Sequence, residues 1–87
     1  MKNMNQLLKQ AQQMQAKLTT LQKELADREV EATSGGGMVK VKVNGKQEIL
    51  QLTISKECVD PGDVEMLEEL IKTAVNQAVK SSQEMVS

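Results

Sequence analysis

Residues 29–54 read EVEATSGGGMVKVKVNGKQEILQLTI, and their alternation decides the fold. Val30 and Ala32 alternate with Glu29 and Glu31, the period of two that marks a short strand. Gly35-Gly36-Gly37 follows as a turn, since glycine reaches positive φ without steric cost. Met38 to Val43 then alternates without a break. Val39, Val41 and Val43 share one face, and Lys40 and Lys42 point to solvent from the other. Asn44-Gly45 is a strong hairpin signal, both residues suiting a type I′ turn. Glu48 to Ile54 closes the hairpin with Leu50, Leu52 and Ile54 on one face. The stretch predicts a three-stranded antiparallel meander.

Upstream, the period changes from two to three and a half. Met4, Leu7, Ala11, Met14, Leu18, Leu21 and Leu25 recur at alternate steps of three and four. That spacing is a coiled-coil seam, narrower than the stripe of a helix lying on a globular core. Leu8 and Ala16 widen it locally, and neither Gly nor Pro interrupts residues 1–34. A helix from Lys2 to about Arg28 is predicted, roughly 40 Å long at 1.5 Å per residue. It is too long for so small a globule to cover, so its seam calls for a partner. Arg28 falls on the next seam position and ends it.

Downstream, Asp60 is a candidate N-cap with Pro61 at the first helical position; Asp63 is the alternative cap. Val64, Leu67, Ile71, Ala74 and Ala78, broadened by Leu70, Val75 and Val79, form a face wide enough to pack on a sheet. After Lys80 the run SSQEMVS loses apolar density and is expected to fray. The order is therefore α-β-β-β-α, an α+β fold in one domain over residues 1–87.

Composition narrows what such a chain does. Among 87 residues there are no Phe, Trp, Tyr or His and a single cysteine, Cys58. Without His the commonest general base and metal ligand are missing, which excludes triads, HExxH sites and His-bearing zinc sites. No catalytic residue, metal, cofactor or small-molecule substrate is expected. The lone Cys58 fits a reducing compartment and reads as a small buried hydrophobe. No apolar run approaches a membrane span, and the N-terminus lacks a signal-peptide core, so the expectation is cytoplasmic. Leu, Ile and Val make up 21 residues, with no aromatic ring among the apolar ones. So thin a core favours a dimer over a lone copy. Asp60, Asp63, Glu65, Glu68 and Glu69 lack the spacing of a calcium loop and read as helix-start acids, with Glu68 and Lys72 placed for an ion pair.

The net charge of −1 conceals a strong segregation. Residues 1–23 carry Lys2, Lys9, Lys17 and Lys23 and no acid, a balance of +4, whereas residues 48–69 sum to −6. Lys2, Lys9 and Lys23 lie opposite the seam and Lys17 beside them. Two readings of that stripe are open: an arm that contacts phosphates, or the solvated outer face of a coiled coil. Lys40, Lys42 and Lys46 form a second basic group with the same two readings.

The segments KQAQQMQAKL, SGGGMVKVKVNGKQEILQLTI and VDPGDVEMLEELIKTAVNQAVK together resemble the YbaB/EbfC family of bacterial nucleoid-associated proteins. The resemblance covers nearly the whole chain, and its specific parts are the glycine turn through Gly45 and the stretch from Asp60 to Asn76. It implies a homodimer with protruding helical arms, likened to tweezers. It also implies binding of double-stranded DNA with little sequence preference, and a part in nucleoid organisation and gene regulation. On that reading Lys2, Lys9, Lys17, Lys23, Arg28, Lys40, Lys42 and Lys46 are the candidate DNA contacts. The other class of reading is a non-enzymatic adaptor that docks a protein partner on the helical seam. Lacking aromatic rings, the chain offers no platform for stacking single-stranded bases.

Overall fold

Gln, Lys, Leu, Met and Ala dominate the first 27 residues, and they build one unbroken helix, α1 (Lys2–Asp27), of 26 residues. The computed structural model describes residues 2–87, with side chains from residue 3 onward. After α1 come β1 (Glu29–Ser34), β2 (Val39–Asn44), β3 (Ile49–Ile54) and α2 (Val64–Val86). The strands form an antiparallel sheet in the order β1-β2-β3. The predicted meander is present, and α1 stops one residue short of Arg28.

The glycine turn behaves as its composition demands. Gly35, Gly36 and Gly37 all have positive φ, at +60°, +68° and +92°, and Met38 N–H closes the turn on the Gly35 carbonyl. Gly35 also sits directly beneath the Leu70 side chain, where a Cβ would collide.

The β2–β3 connection differs from the expected two-residue type I′ turn. Gly45 does not have positive φ; the left-handed residue is Gln47, at φ +64°. Gln47 N–H donates to the Asn44 carbonyl at 3.1 Å, and Asn44 N–H donates to the Glu48 carbonyl at 3.1 Å. The loop is thus Gly45-Lys46-Gln47, a three-residue turn closed by a left-handed residue. Asn44 stabilises it from its side chain, where Oδ1 accepts from Lys46 N–H at 2.9 Å and Glu48 N–H at 3.0 Å. A second difference follows inside β3. Val41 faces Leu52 and Lys42 faces Gln51, but Val43 faces Ile49. Leu50 is the extra residue of a bulge, so Ile49 takes the place expected for Leu50 on the face that carries Leu52 and Ile54.

α2 lies over β1 and β2. Val39, Val41 and Val43 are fully buried, together with Ala74, Ala78 and Cys58, while Leu67, Leu70, Ile71 and Val75 pack around them. Alanine at 74 and 78 lets the helix axis approach the sheet, and the valines fill the space beneath. Truncating the central valine, Val41→Ala, is expected to cost about 2–3 kcal/mol in urea unfolding, because the side chain is fully buried and its removal leaves a void. Asp63 is the cap of α2, its Oδ1 accepting from Met66 N–H at 3.2 Å. Asp60 instead closes a turn of its own, taking Gly62 N–H at 2.8 Å.

Two serines bolt α2 to the sheet at opposite ends. Ser34 Oγ donates to the Leu70 carbonyl at 2.6 Å, and Ser82 Oγ donates to the Asn44 carbonyl at 2.6 Å. The second bond corrects the expectation of fraying after Lys80. α2 continues to Val86, and Ser82 is fully buried against the hairpin. Ser82→Ala is expected to lower stability by about 1 kcal/mol in the same assay, the worth of one buried neutral hydrogen bond.

The whole measures 76 × 16 × 16 Å. α1 alone supplies about 39 Å of that length, at 1.5 Å per residue. Residues 3–24 are exposed throughout, and only Leu25 and Ala26 are half-buried. α1 is an arm anchored at its C-terminal end.

Candidate nucleic-acid interface

At about 100° per residue, Lys9, Lys17 and Lys23 project from one sector of α1 about 120° wide. The position of Lys2 falls in the same sector; its side chain lies outside the described residues. Lys9 and Lys23 are separated by about 21 Å along the axis, and Lys2 extends the row to about 32 Å, close to one turn of duplex DNA. None of the three described lysines is paired: the ion pair among the described residues is Lys72–Glu69 at 3.4 Å, on α2. That pair also replaces the expected Glu68–Lys72 one, the lysine reaching back three residues rather than four.

The opposite sector of α1 carries the seam. Met4, Leu7, Met14, Leu18 and Leu21 are between 54% and 70% exposed, with no partner within the chain. Ala11 is exposed too, and Leu25 is the one seam residue that turns inward, at the arm's base. A lysine row on one side and an apolar row on the other make α1 a two-faced arm: one face suits a polyanion, the other a second hydrophobic surface.

The remaining candidate residues divide into two places. Arg28 follows α1, and Lys46 lies in the hairpin loop against the arm's base, where Gly45 N–H donates to the Ala26 carbonyl at 3.1 Å. Lys40 and Lys42 sit on the sheet face away from α2. They line a shallow depression with Glu31, Gln51 and Thr53, and Glu31 lies directly across from Lys42 in the β1–β2 register. Glu31 therefore offsets part of that patch. The structure joins Arg28 and Lys46 to the arm and leaves Lys40 and Lys42 as a separate group on the sheet.

The arm is held where Asn44 and Gly45 meet α1 and α2, a junction that sequence reasoning assigned to turn geometry alone. A Cβ built on Gly45 would fall on the Leu25 carbonyl oxygen. Gly45 is glycine because the last turn of α1 passes against its backbone, not because of its own φ. The Asn-Gly pair was the visible signal; its reason lay in a contact across twenty residues of sequence.

Charge is also segregated along the rod. The glycine turn and the start of α2 are at the end far from the arm, since Ser34 bonds Leu70 there while Ser82 bonds Asn44 at the arm's base. Glu57, Asp60, Asp63, Glu65, Glu68 and Glu69 gather toward that far end, opposite in sign to the arm.

Among the described residues no helix is long and apolar enough to cross a membrane. Two proteins called nucleoid-associated proteins are close in sequence. The one from Desulforamulus reducens is 56% identical over 85 residues, spanning 98% of this chain and 81% of the relative. The one from Moorella thermoacetica is 55% identical over 87 residues, spanning all of this chain and 84% of the relative. Among solved structures, an uncharacterized Helicobacter pylori protein, HP0035, superposes with a TM-score of 0.68 at 28% identity, over 85% of this chain and 86% of that one. The family model for the YbaB/EbfC DNA-binding family matches residues 1–87, and with an α-β-β-β-α fold and a basic, protruding first helix the chain belongs to that family.

Proposed function

We propose that the chain is a nucleoid-associated protein that binds double-stranded DNA as a homodimer, gripping phosphates with its α1 arms. The observation that carries this reading is the row of Lys9, Lys17 and Lys23 on α1, in no ion pair among the described residues and set opposite an exposed apolar seam. The seam Met4, Leu7, Ala11, Met14, Leu18, Leu21 and Leu25 supplies a surface for the second copy, and two arms then present Lys2, Lys9, Lys17 and Lys23 twice. Arg28 and Lys46 extend the basic surface at the arm's base, and Lys40 and Lys42 add a weaker patch on the sheet. Lysines on a helix face match phosphate spacing without reading base edges, so affinity varies little with sequence. Nucleoid organisation and gene regulation in the cytoplasm follow from such binding.

The test is a salt titration of binding to random duplex DNA. Eight neutralised phosphates per dimer predict a slope of log K against log salt of about −7. A slope near zero, or no binding at low salt, sinks the arm reading and favours the adaptor whose seam docks a protein.

A further inference from the structure

β1 is an outer strand of the sheet, and the hydrogen bonds of β2 fix what its free side offers. Asn44 N–H donates to the Glu48 carbonyl at 3.1 Å, and the Met38 carbonyl accepts from Ser55 N–H at 2.7 Å. The even-numbered residues of β2 therefore bond toward β3. Alternation turns Val39, Val41 and Val43 toward β1, where they meet Ser34, Ala32 and Val30. The N–H and C=O groups of Glu29, Glu31 and Thr33 are left pointing away from the sheet. Among the described residues they take no other backbone partner. All three residues are exposed, while Ala32 between them is buried beneath α2. Neither Glu29 nor Glu31 is in an ion pair among the described residues, and Glu24 and Asp27 precede them at the root of the arm.

We infer that the β1 edge takes an extended basic segment of another protein, added as a fourth strand antiparallel to β1 with lysine or arginine at every second position. The chain carries its own example of the complement. On its inner side β1 already pairs with such a strand, VKVKVN, which sets Lys42 opposite Glu31 and Lys40 opposite Thr33. A segment of the same alternation on the outer side places its cations against Glu29 and Glu31, and its uncharged positions beside Val30 and Ala32.

A second copy of β1 is the wrong occupant. Antiparallel pairing about Glu31 opposes two Glu31 carboxylates, and parallel pairing in register opposes both glutamates to their own kind. The charges that guard this edge against itself thus select for the opposite sign. A lysine-rich tail, disordered when free, fits that requirement and gains its order from the strand it joins. The edge lies apart from the lysine row of α1, so the inference stands independently of DNA binding and is measured without DNA.

The probe is a capped peptide of about nine residues that alternates lysine and valine. Its twin carries N-methyl groups on the lysine backbone nitrogens, which keeps every charge and removes the donors that face β1. The full chain is compared with the double variant Glu29→Gln, Glu31→Gln and with Glu65→Gln, Glu68→Gln, the same change of charge at the far end of the rod. Circular dichroism confirms the fold of each. The peptide is expected to slow hydrogen exchange at the Glu29, Glu31 and Thr33 amides. Its affinity should fall about fivefold in the β1 variant and stay within about twofold in the far-end variant. The N-methylated twin should bind at least about tenfold more weakly. Equal binding of the two peptides overturns the inference, because charge alone then suffices. Protection confined to other amides, equal losses in both variants, or no binding at low salt overturn it as well.

Discussion

With Lys2, Lys9, Lys17 and Lys23 all changed to glutamine, affinity for duplex DNA is expected to fall by about a thousandfold or more at moderate salt. Each glutamine keeps the length of the side chain nearly intact and removes its charge. On the proposed reading, eight positive charges leave a two-armed dimer, and with them the counterion release that drives binding. The slope of log K against log salt should collapse from about −7 toward zero in the same variant. Stability should move by less than about 0.5 kcal/mol, since Lys9, Lys17 and Lys23 are exposed and in no ion pair among the described residues. Gel-shift affinity and urea unfolding on one preparation separate the two effects. Unchanged affinity would remove the arm from the mechanism and leave Lys40, Lys42 and Lys46 as the basic surface to test next.

Gly45→Ala should be the most damaging single methyl group in the chain. The added carbon meets a backbone carbonyl, which cannot rotate away as a side chain would. A loss of about 3 kcal/mol in urea unfolding is expected, lowering the melting temperature by about 15 °C for a domain this size. Gly36→Ala makes an informative control. Its Cβ enters open space and its cost is the left-handed backbone alone, about 1–2 kcal/mol. If the core holds while the contact yields, the strain should appear as an arm detached from its seat, with faster proteolysis at Arg28 and weaker DNA binding although every lysine remains. Equal stability of Gly45→Ala and the parent chain would show that the junction does not fix the arm.

How far the chain's own letters led depends on the distance over which each residue's reason acts. Val39, Val41 and Val43 announce their face by alternation, because in a strand the neighbours decide. The lysine row and the seam of α1 are equally local, both being sums of 100° steps. Gly45, Leu50 and Ser82 resist such reading. Gly45 answers to Leu25, the Leu50 bulge to the closure of a three-residue loop, and Ser82 to a carbonyl thirty-eight positions earlier. Ser82 in particular sits in a polar run that by composition should fray, and one buried acceptor holds it in a helix. The rest of the basic surface was legible only as a set of charges: Glu31 opposite Lys42 emerges from the strand register, and Lys46 at the arm's root from the bond between Gly45 and Ala26.

The segregation of charge along a 76 Å rod has a physical consequence of its own. A body positive at one tip and negative at the other is an electric dipole, and the field of a duplex exerts a torque on it before any contact forms. Within about one Debye length, roughly 10 Å at 0.1 M salt, the torque swings the lysine arm toward the phosphates and the acidic cap away. Encounters are then sorted by orientation as well as by distance. A chain whose charges nearly cancel in total thus approaches DNA the way a compass needle approaches a magnet, turned the right way round on arrival.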